Sequence, residues 1–310
     1  MVSLPFATPR IVVVGSCNVD LIAEVDVAPA DGETVMGKAL AVQPGGKGLN
    51  QAVAAAGLGA EVDLVSRVGD DEHRGAIFAA LDKHGVGRRY VSIDPEQGTG
   101  LAMIVVDATG ENRIVVNPRA NAALGGADIA SAADAICAAD GMLLSLEVPL
   151  PALVAAAKLA GPHTEVCLNA APAQAIPAEL AAGVSVLIVN EGEAASLVGF
   201  SADDVASAQR AAASLRTLVR RAAVVTLGEL GAVFASEGAS GHVPAFATEV
   251  RDTTGAGDSF CAALTFALAS GMAVRDAVVM GNAAGSLAAR TLGATSSQVN
   301  AAGVAELTGW

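Results

Sequence analysis

Short, continuous apolar runs alternate with alanine-rich segments of helical length along most of the 310-residue chain. The runs are "RIVVVGS", "EVDLVSRVG", "GMLLSLE", "EVCLNAA", "VSVLIVN" and "AAVVTLG". Because the apolar positions follow one another without alternation, we expect strands that are buried on both faces, as in a parallel sheet between helices. The pattern therefore predicts a doubly wound α/β fold, and the length is typical of one large domain, residues 1–310, with a small appendage.

Two stretches depart from this order, residues 18–42 and 99–119. Each contains apolar strands joined by turn residues, Asp31-Gly32 in the first and Thr109-Gly110 in the second. Polar and apolar positions alternate in "GENRIVVN", which is typical of an antiparallel sheet with one wet face. We interpret the two stretches as a small β-sheet that covers a cleft at the strand ends. Two extra hairpins at the edge of the main sheet are the alternative.

Charge and hydropathy narrow the range of partners. The net charge of −14, without any lysine- or arginine-rich run, disfavours nucleic acid and anionic membranes as partners. The longest uncharged stretch, Ser259 to Val274, is shorter than the ~18 residues of a membrane span. No basic leader precedes the first apolar run, so we expect a cytoplasmic protein.

The cysteines indicate neither a disulfide framework nor a zinc site. Cys17, Cys137, Cys167 and Cys261 are scattered, with no C-x-x-C pair and no histidine at zinc-ligand spacing. We expect all of them to be buried, reduced thiols.

The stretch "DTTGAGDSF", Asp252 to Phe260, is the leading candidate for chemistry. Its glycines precede an apolar helical face, so the loop forms a helix N-terminus, where unpaired N–H groups and the helix dipole attract an anion. Asp258 follows these glycines directly. It is either a helix cap or the base for a hydroxyl that attacks a bound phosphate, and the residues alone leave both roles open.

Two common nucleotide-binding motifs do not match the sequence. In "AVQPGGKGLN", Ala41 stands where a Walker A loop has its first glycine, and Gly48 stands where it has a hydroxyl. "GAGDSF" has Phe260 in place of the third glycine of a dinucleotide fingerprint, and it comes late in the chain. A Rossmann dehydrogenase is therefore only an alternative.

Two polar clusters precede or follow predicted strand ends. "QPGGKGLNQ" places a glycine loop before an alanine-rich helix that has Asn50 at its start, and ordinary capping explains this cluster as well as ligand binding does. Asn18 and Asp20 follow the first strand, where open α/β sheets bind ligands. Together these side chains can donate and accept hydrogen bonds, which suits a ligand with several hydroxyl groups. The alternative is that they are polar only because the loop contacts solvent.

A further pair of clusters suits a nucleotide and its metal. In "VNEGEA", two acids, Glu191 and Glu193, and the amide of Asn190 could organise Mg²⁺ through water, although a capped helix start explains the same residues. In "VTLGELG", a strand ends with room for a nucleotide to pass beside Thr226, Gly228 and Gly231.

In their order and spacing, these stretches resemble the ribokinase family of sugar and nucleoside kinases, the phosphofructokinase-B type. The matching landmarks run from Gly15 to Gly293 and are "GSCNVD", "PGGKGLNQAVAAAGLGA", "LEVP", "LNAAPA", "VNEGEA", "VTLGELG" and "RDTTGAGDSF". The resemblance implies an ATP-dependent kinase with a three-layer αβα core. It also implies a β-sheet lid, formed by about residues 18–42 and 99–119, through which a homodimer assembles.

Residue by residue, the resemblance implies a complete kinase site. Asp258 would be the general base, and the backbone of Gly255, Ala256 and Gly257 would form an anion hole for the developing charge. The sugar contacts would be Asn18, Asp20, Gly46, Lys47, Asn50, Glu147 and Asp258. The ATP contacts would be Asn190, Thr226, Gly228, Gly231 and Asn282, with Glu193 near Mg²⁺. A K⁺ site would comprise Asp252, Thr254, Ala288, Thr291, Gly293 and Ser297.

Within that family, "GSxNxD" and "GGKGxNQA" indicate phosphorylation of the 5-hydroxymethyl group of D-ribose. Another sugar, a sugar phosphate or a nucleoside is the alternative substrate. A non-catalytic sugar- or nucleotide-binding protein is a third hypothesis, against which Asp258, Asn50 and Glu193 argue.

Three positions depart from the family pattern. "NPRAN" has Arg119 where a small residue is usual, and its guanidinium could meet a substrate phosphate or cap the lid edge. "GATSSQV" lacks the proline that usually follows the cation loop, and "LNAAPA" has Ala170 where proline is common.

Overall fold

The computed structural model describes residues 8–109, 111–295 and 298–310. The strands, numbered along the chain, are β1 (Arg10–Val14), β2 (Asn18–Glu24), β3 (Ala39–Gly45), β4 (Glu61–Gly69), β5 (Gly87–Asp94), β6 (Gly100–Val106), β7 (Asn112–Asn117), β8 (Gly141–Ser145), β9 (Glu165–Asn169), β10 (Val186–Asn190), β11 (Ala222–Thr226), β12 (Ala232–Ser236) and β13 (Ala239–Val243). The α-helices are α1 (Lys47–Gly57), α2 (Arg74–Lys83), α3 (Gly126–Ser131), α4 (Ala133–Ala138), α5 (Leu150–Leu159), α6 (Ala178–Gly183), α7 (Glu191–Val198), α8 (Val205–Arg216), α9 (Ala256–Ala269), α10 (Val274–Ala288) and α11 (Ala301–Thr308). Short 3₁₀ helices cover Arg119–Ala123 and Gly228–Leu230.

The main sheet has nine strands in the order β13-β12-β11-β10-β9-β8-β1-β4-β5. The strands from β11 to β5 pair in parallel, and β12 and β13 add an antiparallel hairpin at one edge. Ile11 and Val13 of β1 join a core with α1, α9 and α10, whereas Val12 and Val14 join a second core with α5 and α8. Because the sheet is buried on both faces in this way, the predicted three-layer αβα fold is confirmed.

A second, four-stranded sheet has the order β3-β2-β6-β7. β2 lies in its middle, antiparallel to β3 and parallel to β6, so the two stretches that depart from the main pattern meet in one sheet. β7 pairs antiparallel with β6 at one edge. The predicted small β-sheet is therefore confirmed, and the alternative of two hairpins at the edge of the main sheet is wrong.

The sequence pattern does not predict β5, β12 and β13. β5 lies at an edge of the main sheet, and Arg88 and Arg89 interrupt its apolar positions. β12 and β13 are separated only by Glu237 and Gly238, and Gly238 has a φ of 74°. A glycine in this left-handed region allows a tight hairpin between two runs that are each too short to stand out alone.

Three cysteines are buried and one is not. Burial raises the pKa of Cys17 and of Cys167 to about 12, and Cys261 is buried as well. Cys137 is free and exposed, so the expectation of a buried thiol is wrong at this position. Its neighbour Ile136 fills the core-facing position of the short helix α4, which turns the next side chain outward.

Across the described part of the chain, the helices are too short or too polar to cross a membrane.

Candidate active site

The candidate site lies where parallel strands of the main sheet end beside the starts of three helices. The chain continues from β1 into β2, from β10 into α7, and through glycine loops into α1 and α9. The main-sheet strands β11, β10, β9, β8, β1, β4 and β5 all run in the same direction. Their carboxyl ends therefore lie at one edge of the sheet. This edge brings together side chains that are far apart in the sequence.

The Asp258 carboxylate lies at the centre of this cleft and does not cap its own helix. Asp258 is the third residue of α9, and the preceding Gly255 makes no side-chain cap. Instead, Asn50 Nδ2 donates to Asp258 Oδ2 at 3.0 Å, and Gln51 Nε2 donates to Asp258 Oδ1 at 3.1 Å. The residue is only 7% exposed. The interpretation of Asp258 as only a helix cap is therefore wrong.

Gln51 connects this carboxylate to the strand ends. Its Nε2 also donates to Asn169 Oδ1 at 3.1 Å, at the end of β9. Gln51 is fully buried, and the remaining amide oxygens Asn50 Oδ1 and Gln51 Oε1 have no hydrogen-bond partner among the described residues. Both oxygens of Asp258 thus accept from side chains of one helix, which fixes the orientation of the carboxylate.

The loop before Asp258 is shaped as a backbone cradle. Gly255 has a φ of 77°, and a Cβ placed on it would lie 2.5 Å from the carbonyl oxygen of Ala294. At Gly257, by contrast, nothing lies within 4 Å of an added Cβ, so space is open in front of the helix start. The first N–H groups of an α-helix have no partner within the helix, and they suit an anion at this end of the 14-residue helix α9.

Three further charged groups surround the cleft. Ser16 Oγ donates to Glu147 Oε2, and the Lys47 N–H donates to the same oxygen at 3.3 Å. The Asp258 carboxylate raises the pKa of Lys47, burial opposes this, and Glu147 adds to it. Burial raises the pKa of Asp20 to about 6, and the charges of Glu147 and Asp258 contribute to this rise. The side chains therefore act on one another as a single electrostatic cluster.

Two glycines allow the loops of this cluster to approach closely. A Cβ on Gly45 would overlap the carboxylate of Asp20. Gly46 has a φ of 93°, and a Cβ there would lie 2.7 Å from the backbone nitrogen of Asn18. The glycine loop before α1 therefore presses directly against the start of β2.

Asn121, which the sequence analysis did not include in the site, holds Asn18 in place. Asn121 Nδ2 donates to Asn18 Oδ1 at 2.8 Å, and the Cys17 N–H donates to Asn121 Oδ1 at 2.9 Å. Asn121 is 1% exposed. The available signal for Asn121 was its polar side chain within "RANAAL", a short segment that is otherwise mostly apolar. Ser16, Gln51 and Asn169 gave the same kind of signal, as polar residues within the motifs already quoted.

At the start of α7, Asn190 and Glu193 form a reciprocal cap. The Glu193 N–H donates to Asn190 Oδ1 at 2.7 Å, and the Asn190 N–H donates to Glu193 Oε2 at 2.9 Å. Burial raises the pKa of Glu193, whereas the Asn190 bond and Lys47 lower it. The capped helix start is thus present in the structure, and one carboxylate oxygen of Glu193 is left outside the cap.

The remaining predicted nucleotide contacts line up along β11 and α10. Asn282 Nδ2 donates to the carbonyl oxygens of Val243 and Pro244, at 2.9 and 3.1 Å. A Cβ on Gly231 would overlap the same Val243 carbonyl, whereas an added Cβ on Gly228 meets nothing within 4 Å. Thr226 ends β11. Asn282 and Gly231 therefore shape one loop, and Gly228 leaves space beside it.

The predicted cation loop is held together by Asp252. Asp252 Oδ1 accepts the Thr254 N–H at 2.9 Å, and Asp252 Oδ2 accepts the Gly293 N–H at 2.8 Å. Burial acts to raise the pKa of Asp252, but these hydrogen bonds together lower it. Thr291 Oγ1 donates to the Ala288 carbonyl oxygen at 3.4 Å. Ser297 lies outside the described residues.

A metal ion would need ligands beyond the protein side chains. Within residues 8–109, 111–295 and 298–310, no group of three or more histidine, cysteine, aspartate or glutamate side chains could hold one. Mg²⁺ commonly binds through one or two carboxylates, substrate phosphates and water, so a single free oxygen at Glu193 fits that mode. K⁺ binds carbonyl oxygens, which the loop around Asp252 contains.

The sequence profile described as "pfkB family carbohydrate kinase" matches residues 8–301. The chain therefore belongs to the pfkB family of carbohydrate kinases and is an ATP-dependent sugar kinase of the ribokinase type.

Individual relatives cover nearly the whole chain. It is 34% identical over 293 residues to a ribokinase of Staphylococcus aureus, covering 94% of this chain and 96% of that protein. It is 36% identical over 252 residues to a deoxyribokinase of Salmonella typhimurium, covering 81% and 82%. The structure of Arabidopsis thaliana ribokinase complexed with ribose and ATP has a TM-score of 0.88 and 30% identity, covering 98% of this chain and all of that one.

Proposed function

We propose that the protein transfers the γ-phosphoryl group of ATP to the 5-hydroxymethyl oxygen of D-ribose. The observation that carries the proposal is the Asp258 carboxylate, oriented by Asn50 and Gln51 at the open N-terminus of α9. Ribose is the sugar named for the Arabidopsis complex, and ribokinases are among the curated relatives. A cytoplasmic location follows as part of the proposal, since ATP is the donor.

In this reaction, Asp258 accepts the proton of the sugar hydroxyl as its oxygen attacks the γ-phosphorus and the bond to ADP breaks. A base at this position is useful only if its carboxylate is ionised and aimed outward. The two amide donors from α1 fix the direction of this carboxylate. The backbone N–H groups of Gly255, Ala256 and Gly257 stabilise the charge that develops on the phosphoryl oxygens.

The sugar is held by the polar cluster around the start of β2. Asp20 and Glu147 present acceptors, the Lys47 side chain presents donors, and Asn18, whose Oδ1 is held by Asn121, offers its Nδ2 as a further donor. Asn50 completes the set near the backbone of Gly46. Neighbouring hydroxyls of a pentose each need a donor and an acceptor. A buried cluster that contains both donors and acceptors, and whose residues hold one another in place, meets this need.

ATP lies along the other side of Asp258. Asn190, Thr226, Gly228, Gly231 and Asn282 form its contact surface, with Glu193 holding Mg²⁺ through its free oxygen or through water. When bound, Mg²⁺ supplies positive charge that neutralises the transferring phosphate. Lys47, at the boundary between the two sides, adds a second positive charge near Asp258.

The loop around Asp252 would hold a monovalent cation, K⁺. The residues that would hold it are Asp252, Thr254, Ala288, Thr291, Gly293 and Ser297. Asp252 joins the segment before α9 to the segment after α10, so a cation bound there would brace the cradle in front of Asp258. Turnover should accordingly be higher with K⁺ than with a bulky organic cation at the same ionic strength.

The small sheet forms the contact of a homodimer. Leu40, Val42, Met103 and Val115 are 69%, 56%, 46% and 61% exposed, and their pairing places them on one face. An apolar face of this kind is typical of a protein interface. The mass of the protein in solution checks this directly, and a monomer at micromolar concentration would contradict it.

The decisive experiment is ADP release over a substrate panel, with and without K⁺. The panel contains ribose, 2-deoxyribose, fructose, fructose phosphates and nucleosides, each at saturating ATP. We expect the highest kcat/KM with ribose. Turnover of nucleosides without turnover of ribose would refute the proposal.

Phosphorylation of 2-deoxyribose is the second candidate function, because a deoxyribokinase is 36% identical to this chain. The two sugars differ only by the 2-hydroxyl. A site that hydrogen-bonds this hydroxyl discriminates strongly against the sugar that lacks it, because its buried polar groups are left unpaired. The ratio of kcat/KM for the two sugars therefore decides between the two functions.

A further inference from the structure

Arg119 lies at the base of the small sheet, after β7, in an unusual backbone conformation. Arg119 follows β7 and begins the 3₁₀ helix that carries Asn121. Its φ is 44°, and among the described residues it is the only non-glycine residue with a positive φ. Side chains rarely adopt this region, and such strain persists where surrounding contacts enforce it.

The contacts of the Arg119 guanidinium account for this conformation. Nη1 donates to the carbonyl oxygen of Thr99 at 3.1 Å and lies 4.0 Å from Asp71 Oδ2. The guanidinium also lies directly over Gly98, where any Cβ would overlap it. The backbone supports the same arrangement, because the Ala120 N–H donates to the Gly98 carbonyl oxygen at 2.9 Å.

Asp71 and Thr99 connect this contact to the main sheet. Asp71 follows β4, and its two oxygens accept the Thr99 N–H and the Thr99 hydroxyl, both at 2.7 Å. The Thr99 hydroxyl in turn accepts the Gly69 N–H at 3.1 Å. Burial acts to raise the pKa of Asp71, but the hydrogen bonds from Thr99 and His73 lower it, so the carboxylate faces Arg119 with its charge.

The chain that leaves Arg119 ends in the sugar side of the candidate site. Two residues later, Asn121 bonds the backbone of Cys17 and the side chain of Asn18. A Cβ on Gly100, the first residue of β6, would overlap both amide side chains, so these side chains pack tightly against the backbone of Gly100. The direction of Asn18 thus depends on where Asn121 is placed, and Asn121 is placed by the turn at Arg119.

We propose that Arg119 is a positioning residue for the sugar subsite. By bridging Thr99 and Asp71 across Gly98, it fixes the turn that presents Asn121, and through it Asn18, to the sugar. The proposal rests on the proposed function for its kinetic consequences. In this role the guanidinium faces a carbonyl and a carboxylate of the protein itself, whereas the alternative has it face a substrate phosphate.

The test compares Arg119→Ala, Arg119→Gly and, as a matched control, Arg113→Ala. Arg113 lies in β7 and likewise donates Nη1 to a single carbonyl oxygen, that of Pro29, but it lies away from the base of the sheet. Glycine adopts a positive φ without strain. The glycine variant therefore separates loss of the guanidinium from strain in the backbone.

For both Arg119 variants, we expect the KM for the sugar to rise about tenfold, as for the loss of a hydrogen-bonded charge. The KM for ATP should change by less than about twofold, because none of the proposed ATP contacts belongs to the hydrogen-bonded chain from Arg119 to Asn18. Arg119→Gly should unfold at a higher temperature than Arg119→Ala. An unchanged sugar KM in both variants, or equal rises in the two KM values, would overturn the proposal. So would a loss confined to phosphorylated sugars.

Amide hydrogen exchange of the ligand-free protein tests the same proposal without relying on the substrate. We expect faster exchange at Cys17, Thr99 and Ala120 in both Arg119 variants, and wild-type rates there in Arg113→Ala. Wild-type rates in the Arg119 variants would overturn the positioning role. If ribose proves not to be the substrate, the proposed function fails, and these exchange rates still decide the role of Arg119.

Discussion

Helices α7 and α9 both begin at this cleft with an acid at their third position, yet the two acids behave differently. Glu193 of α7 turns back onto its own helix and caps it together with Asn190. Asp258 of α9 ignores its own helix start and accepts two hydrogen bonds from α1. α10 offers a third case, since Asp276 occupies the same position and lies half-exposed near Arg275.

The difference follows from what precedes each acid. Asn190 supplies a side-chain cap with extended backbone, and a glutamate three residues later reaches back to complete it. Gly255 supplies no side chain and has a left-handed backbone, so the α9 start is left open, and the short aspartate side chain points toward α1. The left-handed backbone of Gly255, and not the glycine alone, leaves Asp258 outside a cap, because before α3 the extended Gly125 donates its N–H to Asp128 Oδ2 at 2.8 Å.

The largest expected effect comes from Asp258→Asn. The asparagine keeps the size of the side chain but accepts no proton, so we expect kcat to fall about 10³-fold while ATP still binds. Steady-state ADP release and equilibrium binding of ATP measure the two effects. Asp276→Asn, at the same helical position of α10, is the control and should leave kcat unchanged. Near-normal kcat in the Asp258 variant would remove it as the base.

The next largest effect is expected for Gln51→Leu. Leucine fills the same buried space but leaves Asp258 Oδ1 and Asn169 Oδ1 without their shared donor. A buried acceptor that loses its donor costs about 1–3 kcal/mol, which corresponds to a fall in kcat of roughly tenfold to hundredfold. The KM for ATP should stay constant. A variant that unfolds normally and keeps the wild-type kcat would show that the Gln51 bond does not orient Asp258 for the reaction.

At α7, a pair of substitutions separates capping from charge. Glutamine can replace glutamate in a capping box, so Glu193→Gln should keep the unfolding temperature, whereas Glu193→Ala should lower it. Both variants lose the charge, and we expect the Mg²⁺ concentration for half-maximal activity to rise about tenfold in each. If Glu193→Gln shows the wild-type Mg²⁺ dependence, the acid of α7 serves only as a cap, and the contrast with α9 becomes complete.

Much of the fold follows from the sequence because the signals are local. Continuous apolar runs predict the inner strands of the main sheet, and turn residues within alternating stretches predict the small sheet. The missed strands β5 and β13 lie at sheet edges, where burial is incomplete and arginines or polar residues interrupt the pattern, and β12 is a buried strand that pairs with β13 in a hairpin. Edge strands owe their formation to pairing with a neighbour, which no local pattern reports.

The candidate site shows the same limit at the level of side chains. The residue types and the glycine loops are visible in the sequence, but whether Asp258 caps a helix or faces α1 depends on a contact across 208 positions. Gln51 and Asn121 were not predicted because their partners, Asp258 and Asn18, lie 207 and 103 positions away in the chain. Arg119 stood out in the sequence because it departs from the small residue that is usual in the family. Its contacts with Thr99 and Asp71 are visible only in the structure.

The smallest effect is expected at Asp20, whose carboxylate lies near those of Glu147 and Asp258. In α7, by contrast, the acid Glu193 is held in a cap. Burial and the charges of Glu147 and Asp258 raise the pKa of Asp20 from 3.8 to about 6. The folded protein therefore binds this proton more tightly than the unfolded chain does, so ionised Asp20 costs stability that grows as the pH rises between these values. Asp20→Asn should raise the unfolding temperature by about 2 °C at pH 8 and leave it unchanged at pH 3.5.

Calorimetric binding of ribose should weaken below about pH 6 in the wild type, since the sugar needs the ionised acceptor, and should be weaker but independent of pH in the variant. A wild-type affinity that stays constant from pH 8 to pH 5 would show that Asp20 does not accept a hydrogen bond from the sugar.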